Sequence, residues 1–261
     1  MRRLLFAAGL LATALQAAGQ VAAQDMAPES RRSGYEQMGR ETRAMQDEDN
    51  ANPATLWVLD GEAAWKRKAG TANRACAECH GDAATTMKGV AARHPAPDAK
   101  TGKLINLEQR INACRVEQQQ AKPLAYESRE LLALTAYVGR QSRGLPIEAS
   151  VTPATRPALD AGRALFRRKV GQIDMSCAQC HDENWGAHLA GNVIPQAHPT
   201  GYPIYRLEWQ GLGSLHRRLR NCMSGMRAEP YESGSKEYVE LEYYLMWRAR
   251  GMKVETPAVR P

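Results

Sequence analysis

Two copies of one pentapeptide restrict what this chain can fold into: Cys76-Ala77-Glu78-Cys79-His80 and Cys177-Ala178-Gln179-Cys180-His181. C-x-x-C-H is the attachment spacing of c-type haem. Two thiols two residues apart reach the two vinyl groups of one porphyrin. The histidine that follows then lies beneath the ring and offers the iron an imidazole nitrogen. A single copy is also compatible with zinc. Two copies behind an export leader predict two covalently bound haem c groups, held by Cys76, Cys79, Cys177 and Cys180, with His80 and His181 as iron ligands.

The leader is residues 1–23. Arg2 and Arg3 form a charged start, Leu4 to Leu15 an apolar run too short to span a bilayer, and Val21-Ala22-Ala23 a small-residue cleavage site. No later stretch reaches the length of a transmembrane helix. The mature chain is therefore expected to be exported and, in a Gram-negative cell, periplasmic, where c-type haem is attached. The formal charge of +7 includes Arg2 and Arg3, and haem propionates would offset part of the rest. Dispersed Lys and Arg with only two Phe argue against a nucleic-acid surface.

An internal repeat fixes the domain count at two. Gly61-Glu62-Ala63-Ala64-Trp65-Lys66-Arg67-Lys68 matches Gly162-Arg163-Ala164-Leu165-Phe166-Arg167-Arg168-Lys169 at the offset that also relates the haem motifs. Leu104, Leu107, Ile111 and Cys114 match Leu212, Leu215, Leu219 and Cys222, and Ser128 to Gly144 matches Ser235 to Gly251. The predicted fold is all-α, two tandem cytochrome c domains related by internal duplication. The expected organisation is a leader over 1–23, an N-terminal arm over 24–52, domain 1 over 53–147, a proline-containing linker over 148–157 and domain 2 over 158–261. Each domain should carry a helix before its haem motif, a loop with His-Pro (His94-Pro95, His198-Pro199), an amphipathic helix with a lone cysteine, and a last helix starting near Ser128 or Ser235. Strand signals are nearly absent.

Four thioether cysteines leave Cys114 and Cys222, at equivalent repeat positions. The 3, 4, 3 spacing of Leu104, Leu107, Ile111 and Cys114 puts them on one helix face, as it does Leu212, Leu215, Leu219 and Cys222. Each helix thus presents a sulfur toward a haem, giving His80/Cys114 and His181/Cys222 ligation. The alternative is a Cys114–Cys222 disulfide, since exported thiols usually pair. Competing iron ligands are Met87 and His94 in domain 1, and His188, His198, His216, Met223 and Met226 in domain 2; only Cys repeats in the helix. A thiolate donor lowers the reduction potential relative to methionine, which points away from a simple high-potential carrier and toward sulfur chemistry.

With two C-x-x-C-H domains, two helix-borne cysteines and the stretch Arg217-Arg218-Leu219-Arg220-Asn221-Cys222-Met223-Ser224-Gly225-Met226-Arg227-Ala228-Glu229-Pro230-Tyr231, the chain resembles the SoxA family, the dihaem subunit of the sulfur-oxidising Sox system. The resemblance covers essentially the whole mature chain and fits the dihaem branch. It implies an L-cysteine S-thiosulfotransferase that pairs with a monohaem SoxX cytochrome and couples thiosulfate to a cysteine of the carrier SoxYZ, the electrons leaving through haem. It also implies Cys222 as the catalytic cysteine, able to carry an extra sulfur as a persulfide, and Arg218 as the substrate-binding residue. The residues support this independently. Arg218 lies one helical turn before Cys222, where a guanidinium can hold a sulfonate. Arg110 stands in the same relation to Cys114, so propionate binding by both arginines is the bland alternative. Rival functions are a tetrathionate-forming dihaem thiosulfate dehydrogenase and a plain electron carrier.

Overall fold

The computed structural model describes residues 26–261, so the export leader expected over residues 1–23 lies outside the described residues. Its helices are α1 (Arg40–Asp47), α2 (Thr55–Lys66), α3 (Cys76–His80), α4 (Ala83–Thr86), α5 (Leu107–Gln119), α6 (Arg129–Arg140), α7 (Arg156–Arg167), α8 (Cys177–His181), α9 (Leu215–Gly225) and α10 (Lys236–Arg248). The repeat is visible as two equivalent sets: α2, α3, α5 and α6 in the first half, α7, α8, α9 and α10 in the second. In each set the first and last helices pack closely, α2 on α6 and α7 on α10. Leu107, Leu134, Tyr137 and Val138 line the first core with Trp65, and Leu159, Phe166, Leu241, Tyr244 and Leu245 form the second.

Local chemistry sets the helix ends. Ser128 Oγ accepts from Leu131 N and Ser235 Oγ from Tyr238 N, which caps the last helix of each half. Past those helices, Gly144 and Gly251 adopt φ of 82° and 84°, a left-handed turn that suits glycine.

The strands are short but they matter. β1 (Ala96–Pro97) pairs with β2 (Leu104–Ile105), and β3 (His188–Leu189) with β4 (Asn192–Val193). β5 (Ile204–Arg206) lies between antiparallel β6 (Gly211–Gly213) and parallel β7 (Ala258–Arg260). Leu104 and Leu212 therefore sit on strands, not on the cysteine helices as the periodicity predicted. Asn106 and Ser214 cap those helices and accept from Gln109 N and Arg217 N. The helix phase starts only there, so Leu107, Ile111 and Cys114, with Leu215, Leu219 and Cys222, keep the predicted face.

The N-terminal segment crosses to the second half of the molecule. Arg32 N donates to Gln196 Oε1 at 2.7 Å, and Ser33 Oγ donates to Glu255 at 2.5 Å. On α1, Gln46 accepts from Val259 N at 3.1 Å and from the Arg260 guanidinium. The segment after α6 pairs with the chain end too, Ile147 N donating to Met252 O and Val254 N to Leu145 O.

A polar cluster is buried where the two halves meet. His216, 1% exposed, accepts from Gly234 N at Nδ1, stacks on Tyr126, and has Nε2 3.0 Å from Glu242. Glu108 is buried nearby. Burial, and then Glu242, push its carboxyl up to about 7, against the pull of His216. His216 is raised as well: burial opposes its charge, but Glu242, Glu108 and Glu127 outweigh it. A raised carboxyl means that the folded state binds more protons than the unfolded one between about pH 4.5 and about 7, so stability falls as pH rises through that window. The stabilisation from His216 is present below its ordinary value of 6.5 and is lost above it. Both effects have the same sign. Thermal melts from pH 5 to 8 should show stability declining with pH, and Glu108→Gln should remove up to about 3 kcal/mol of that decline. A flat wild-type profile would show that Glu108 titrates normally.

Candidate functional site: two thiol-lined cavities

Each half encloses one cavity built by the same parts. The first, about 270 Å³, is lined by Cys76, Cys79, His80 and Cys114 with Trp65, Leu107, Ile111, Leu134 and Val138. The second, about 160 Å³, is lined by His181 and Cys222 with Leu215, Leu219, Tyr202 and Leu245. Cys177 and Cys180 lie close enough to Cys222 to feel its charge. Cys114 and Cys222 thus occupy separate cavities, and both are free thiols; no disulfide joins them.

Short helices α3 and α8 hold the motifs. Ser176 Oγ accepts from Gln179 N while Gln179 Oε1 accepts from Ser176 N, a capping box that fixes the first turn of α8. Glu78 does part of this in α3 by accepting from Ala75 N at 2.6 Å. His181 Nδ1 lies 2.6 Å from Pro195 O. A carbonyl can only accept, so Nδ1 carries the proton and Nε2 keeps a lone pair. Burial holds His181 below its usual value, which keeps that lone pair free near neutral pH. Trp65 Nε1 donates to Gly81 O at 3.1 Å, and its ring lies 5.6 Å from that of His80.

These residues fit haem c. Paired thiols, a histidine, a further sulfur and an apolar lining surround the first cavity; a histidine, a sulfur and an apolar lining surround the second, with the paired thiols of α8 close to Cys222. Among the described residues no three His, Cys, Asp or Glu side chains converge as a closed metal cage.

The competing ligands are sorted by position. Met87 and His94 line the first cavity, and His198 the second. His198 Nδ1 donates to Arg32 O at 3.0 Å, and burial pushes its value down to about 4. His216 belongs to the buried cluster between the halves, His188 lies on the exposed β3–β4 hairpin, and Met223 faces a separate surface groove with Arg227 and Tyr231.

Arg218 lines the second cavity with Cys222. Burial works against its charge, but the Cys222 sulfur, Tyr202 and Glu208 outweigh this and raise it above the usual guanidinium value. Of the other nearby arginines, Arg217 lies over the Trp209 ring at 4.3 Å and Arg220 donates to Tyr231 O at 2.6 Å. Sequence reasoning missed Arg206 and Arg260, which also line this cavity, and the contribution of Gln37 and Met38 from the N-terminal segment. For Arg206 a signal existed: the offset that relates Arg110 to Arg218 also relates Asp98 to Arg206. The others depend on long-range packing.

The family described as SoxA/TsdA, cytochrome c domain, matches residues 60–147 and again 161–254. The chain is 38% identical over 229 residues to the L-cysteine S-thiosulfotransferase subunit SoxA of Pseudaminobacter salicylatoxidans, covering 87% of this chain and 80% of that protein. It is 34% identical over 229 residues to the subunit of the same name from Rhodovulum sulfidophilum, covering 88% and 80%. Its fold superposes on the crystal structure of SoxXA from P. pantotrophus with a TM-score of 0.86 at 30% identity, over 88% of this chain and 87% of that one.

Proposed function

Because this chain belongs to the SoxA/TsdA cytochrome c family, we propose that it is an L-cysteine S-thiosulfotransferase subunit that oxidatively couples thiosulfate to a carrier cysteine. The observation that carries the reading is the grouping of Cys222, Arg218 and His181 on one cavity, together with curated relatives that bear this activity in their names. Two haem c groups are proposed, at Cys76/Cys79/His80 and Cys177/Cys180/His181, with Cys114 and Cys222 as second ligands. A SoxX-type monohaem cytochrome is the proposed partner, by likeness to the SoxXA complex, and SoxYZ the proposed carrier. Export to the periplasm is proposed from the leader. Among the described residues no helix is long and apolar enough to cross a membrane.

The chemistry balances without an acid or base at the bond-forming step. Arg218 holds the sulfonate end of thiosulfate and presents the sulfane sulfur to Cys222. The two sulfurs join, and two electrons are lost. The deprotonated carrier cysteine then attacks the sulfane sulfur and releases Cys222 as a thiolate, leaving the carrier as a cysteine S-thiosulfonate. Haem c, when bound, supplies the iron that accepts those electrons one at a time. The protein's own residues fix the reacting sulfur, orient the anion and keep the His181 lone pair available.

Intact mass with low-temperature EPR on the purified mature protein tests the assignment. The expected mass is the chain from Gln24 plus two haems, with any extra sulfur absent in Cys222→Ala. The expected spectra are two low-spin His/thiolate signals. A dihaem mass with His/Met or His/His signals would remove Cys222 from the chemistry and leave an electron carrier. Tetrathionate formation without a carrier would point to a dehydrogenase.

A further inference from the structure

The two halves are copies, so their differences show what has been specialised. Asp98 and Arg206 occupy the same place in that duplication. Ala96 pairs with Ile105 one residue before cap Asn106, and Ile204 pairs with Gly213 one residue before cap Ser214. Two residues on from Ala96 and Ile204 stand Asp98 and Arg206. In the first half Asp98 neutralises the arginine one turn before the cysteine: Arg110 Nη2 donates to Asp98 Oδ1 at 2.8 Å, and Asp98 also accepts from Thr101. In the second half the aspartate is replaced by a second guanidinium.

The surroundings of Arg206 do not use up its charge. Its side chain is 10% exposed, and it lines the cavity with Arg218 and Cys222. Glu208 Oε1 lies 2.8 Å from Arg206 Nε and 3.9 Å from Arg218 Nη1. The Arg206 Nε–H is not aimed at that oxygen and has no hydrogen-bond partner. One carboxylate therefore faces two guanidiniums beside the sulfur, Arg206 buried and Arg218 one-third exposed. The third arginine on this cavity, Arg260, is engaged by Glu255 at 2.5 Å, by Gln46 and by Val259 O at 2.8 Å. Arg206 is held in place by the Trp209 ring, 5.4 Å from its guanidinium. Trp209 in turn leans on Gly213, where an added Cβ would come within 2.5 Å of the ring.

We infer that Arg206 is the second arm of a two-guanidinium site for a dianion beside Cys222, and that Glu208 is the internal counter-charge a dianionic substrate displaces. The inference rests on the thiosulfate reading for the identity of the anion. It also explains why two equivalent cysteines need not share one function: the equivalent arginine in the first half is already paired by a carboxylate of its own chain.

The test is calorimetric titration of thiosulfate, with no carrier present, into the oxidised holoprotein, alongside haem content and low-temperature EPR. Arg206→Asp copies the first half and should weaken binding about thirtyfold; Arg206→Lys should keep part of the affinity, and Glu208→Gln should tighten binding several-fold. Haem content and both low-spin signals should stay as in the wild type. Unchanged affinity in Arg206→Asp overturns the inference, as does a wild type that binds no thiosulfate. Lost haem or an altered second signal also overturns it, because Arg206 would then be holding haem. Arg206-dependent binding without transfer to a cysteine acceptor would retain the site and remove the functional reading. Transfer by the wild type with an unchanged KM in Arg206→Asp would do the reverse.

Discussion

Cys222→Ala should abolish thiosulfate coupling, lowering kcat by at least about a thousandfold, while leaving the protein folded with both haems attached. The proposed haem attachment is through Cys76, Cys79, Cys177 and Cys180, which the substitution does not touch. The fold cost is small because Cys222 is only half-buried on α9, and alanine suits a helix. The catalytic cost is large because one sulfur is assigned two roles, second iron ligand and acceptor of the substrate sulfur. No neighbouring thiol can stand in, since Cys177 and Cys180 are assigned to the haem vinyl groups and Cys114 lies in the other cavity. EPR of the variant should lose one His/thiolate signal and keep the other.

The reciprocal change separates this from a general effect of losing a haem ligand. Cys114→Ala should remove the other signal and keep coupling within about tenfold of wild type, because Arg110 beside it is paired with Asp98 and offers a dianion little. Equal loss of activity in both variants would make the first haem part of the chemistry. Retained coupling in Cys222→Ala would remove the cysteine from it.

Most of the repeat could be read from residue types, because local chemistry encodes it. Ser128 and Ser235 act as caps and the Gly144 and Gly251 turns end their segments, all within a few residues of the signals that announce them. The haem motifs are legible for the same reason. The periodicity gives the right face of the cysteine helices but starts them too early. Leu104 and Leu212 continue the 3-4-3 spacing by chance across a strand, a cap and a helix. The correct boundary was encoded in Asn106 and Gln109, whose reciprocal cap marks where the helix begins. The small sheet was not legible, since β5 and β7 are three-residue strands paired across about fifty positions. Nor was the contact of Ser33 with Glu255, whose partners are 222 residues apart. The cationic character of the second cavity is legible in two steps: Arg218 follows from its spacing to Cys222, and Arg206 from carrying the offset between Arg110 and Arg218 back to Asp98, while Arg260 reaches the cavity only through long-range packing.

A large stability effect should come from two helix glycines that the repeat already aligned. A Cβ at Gly162 would lie 2.1 Å from Glu240 O and 2.8 Å from Tyr244 Cβ; at Gly61 it would lie 2.1 Å from Ala133 O and 2.7 Å from Tyr137 Cβ. The obstruction is helix backbone, which cannot rotate aside as a side chain can. On its own, glycine to alanine in a helix gains up to about 1 kcal/mol of propensity, so the sign depends on whether the partner helix can retreat. α10 cannot do so easily, because Tyr238, Val239, Tyr243 and Leu245 are all buried around it. Gly162→Ala should therefore destabilise by about 2–3 kcal/mol, and Gly162→Val by more, as α7 and α10 are forced apart. The damage should reach the site as well. α7 leads into the α8 segment that carries His181, and Arg248 of α10 pairs with Asp182 at 2.6 Å while lying over Phe166 of α7. Thermal melts of the holoprotein followed by circular dichroism and the Soret band should lose several degrees in Gly162→Ala, and both probes should fall together. Gly225→Ala, where nothing lies within 4 Å of the added Cβ, should melt at or slightly above the wild-type temperature. An unchanged melt for Gly162→Ala would mean that the two helices relax apart at little cost, and the close approach of α7 to α10 would then not be what holds the second cavity in shape.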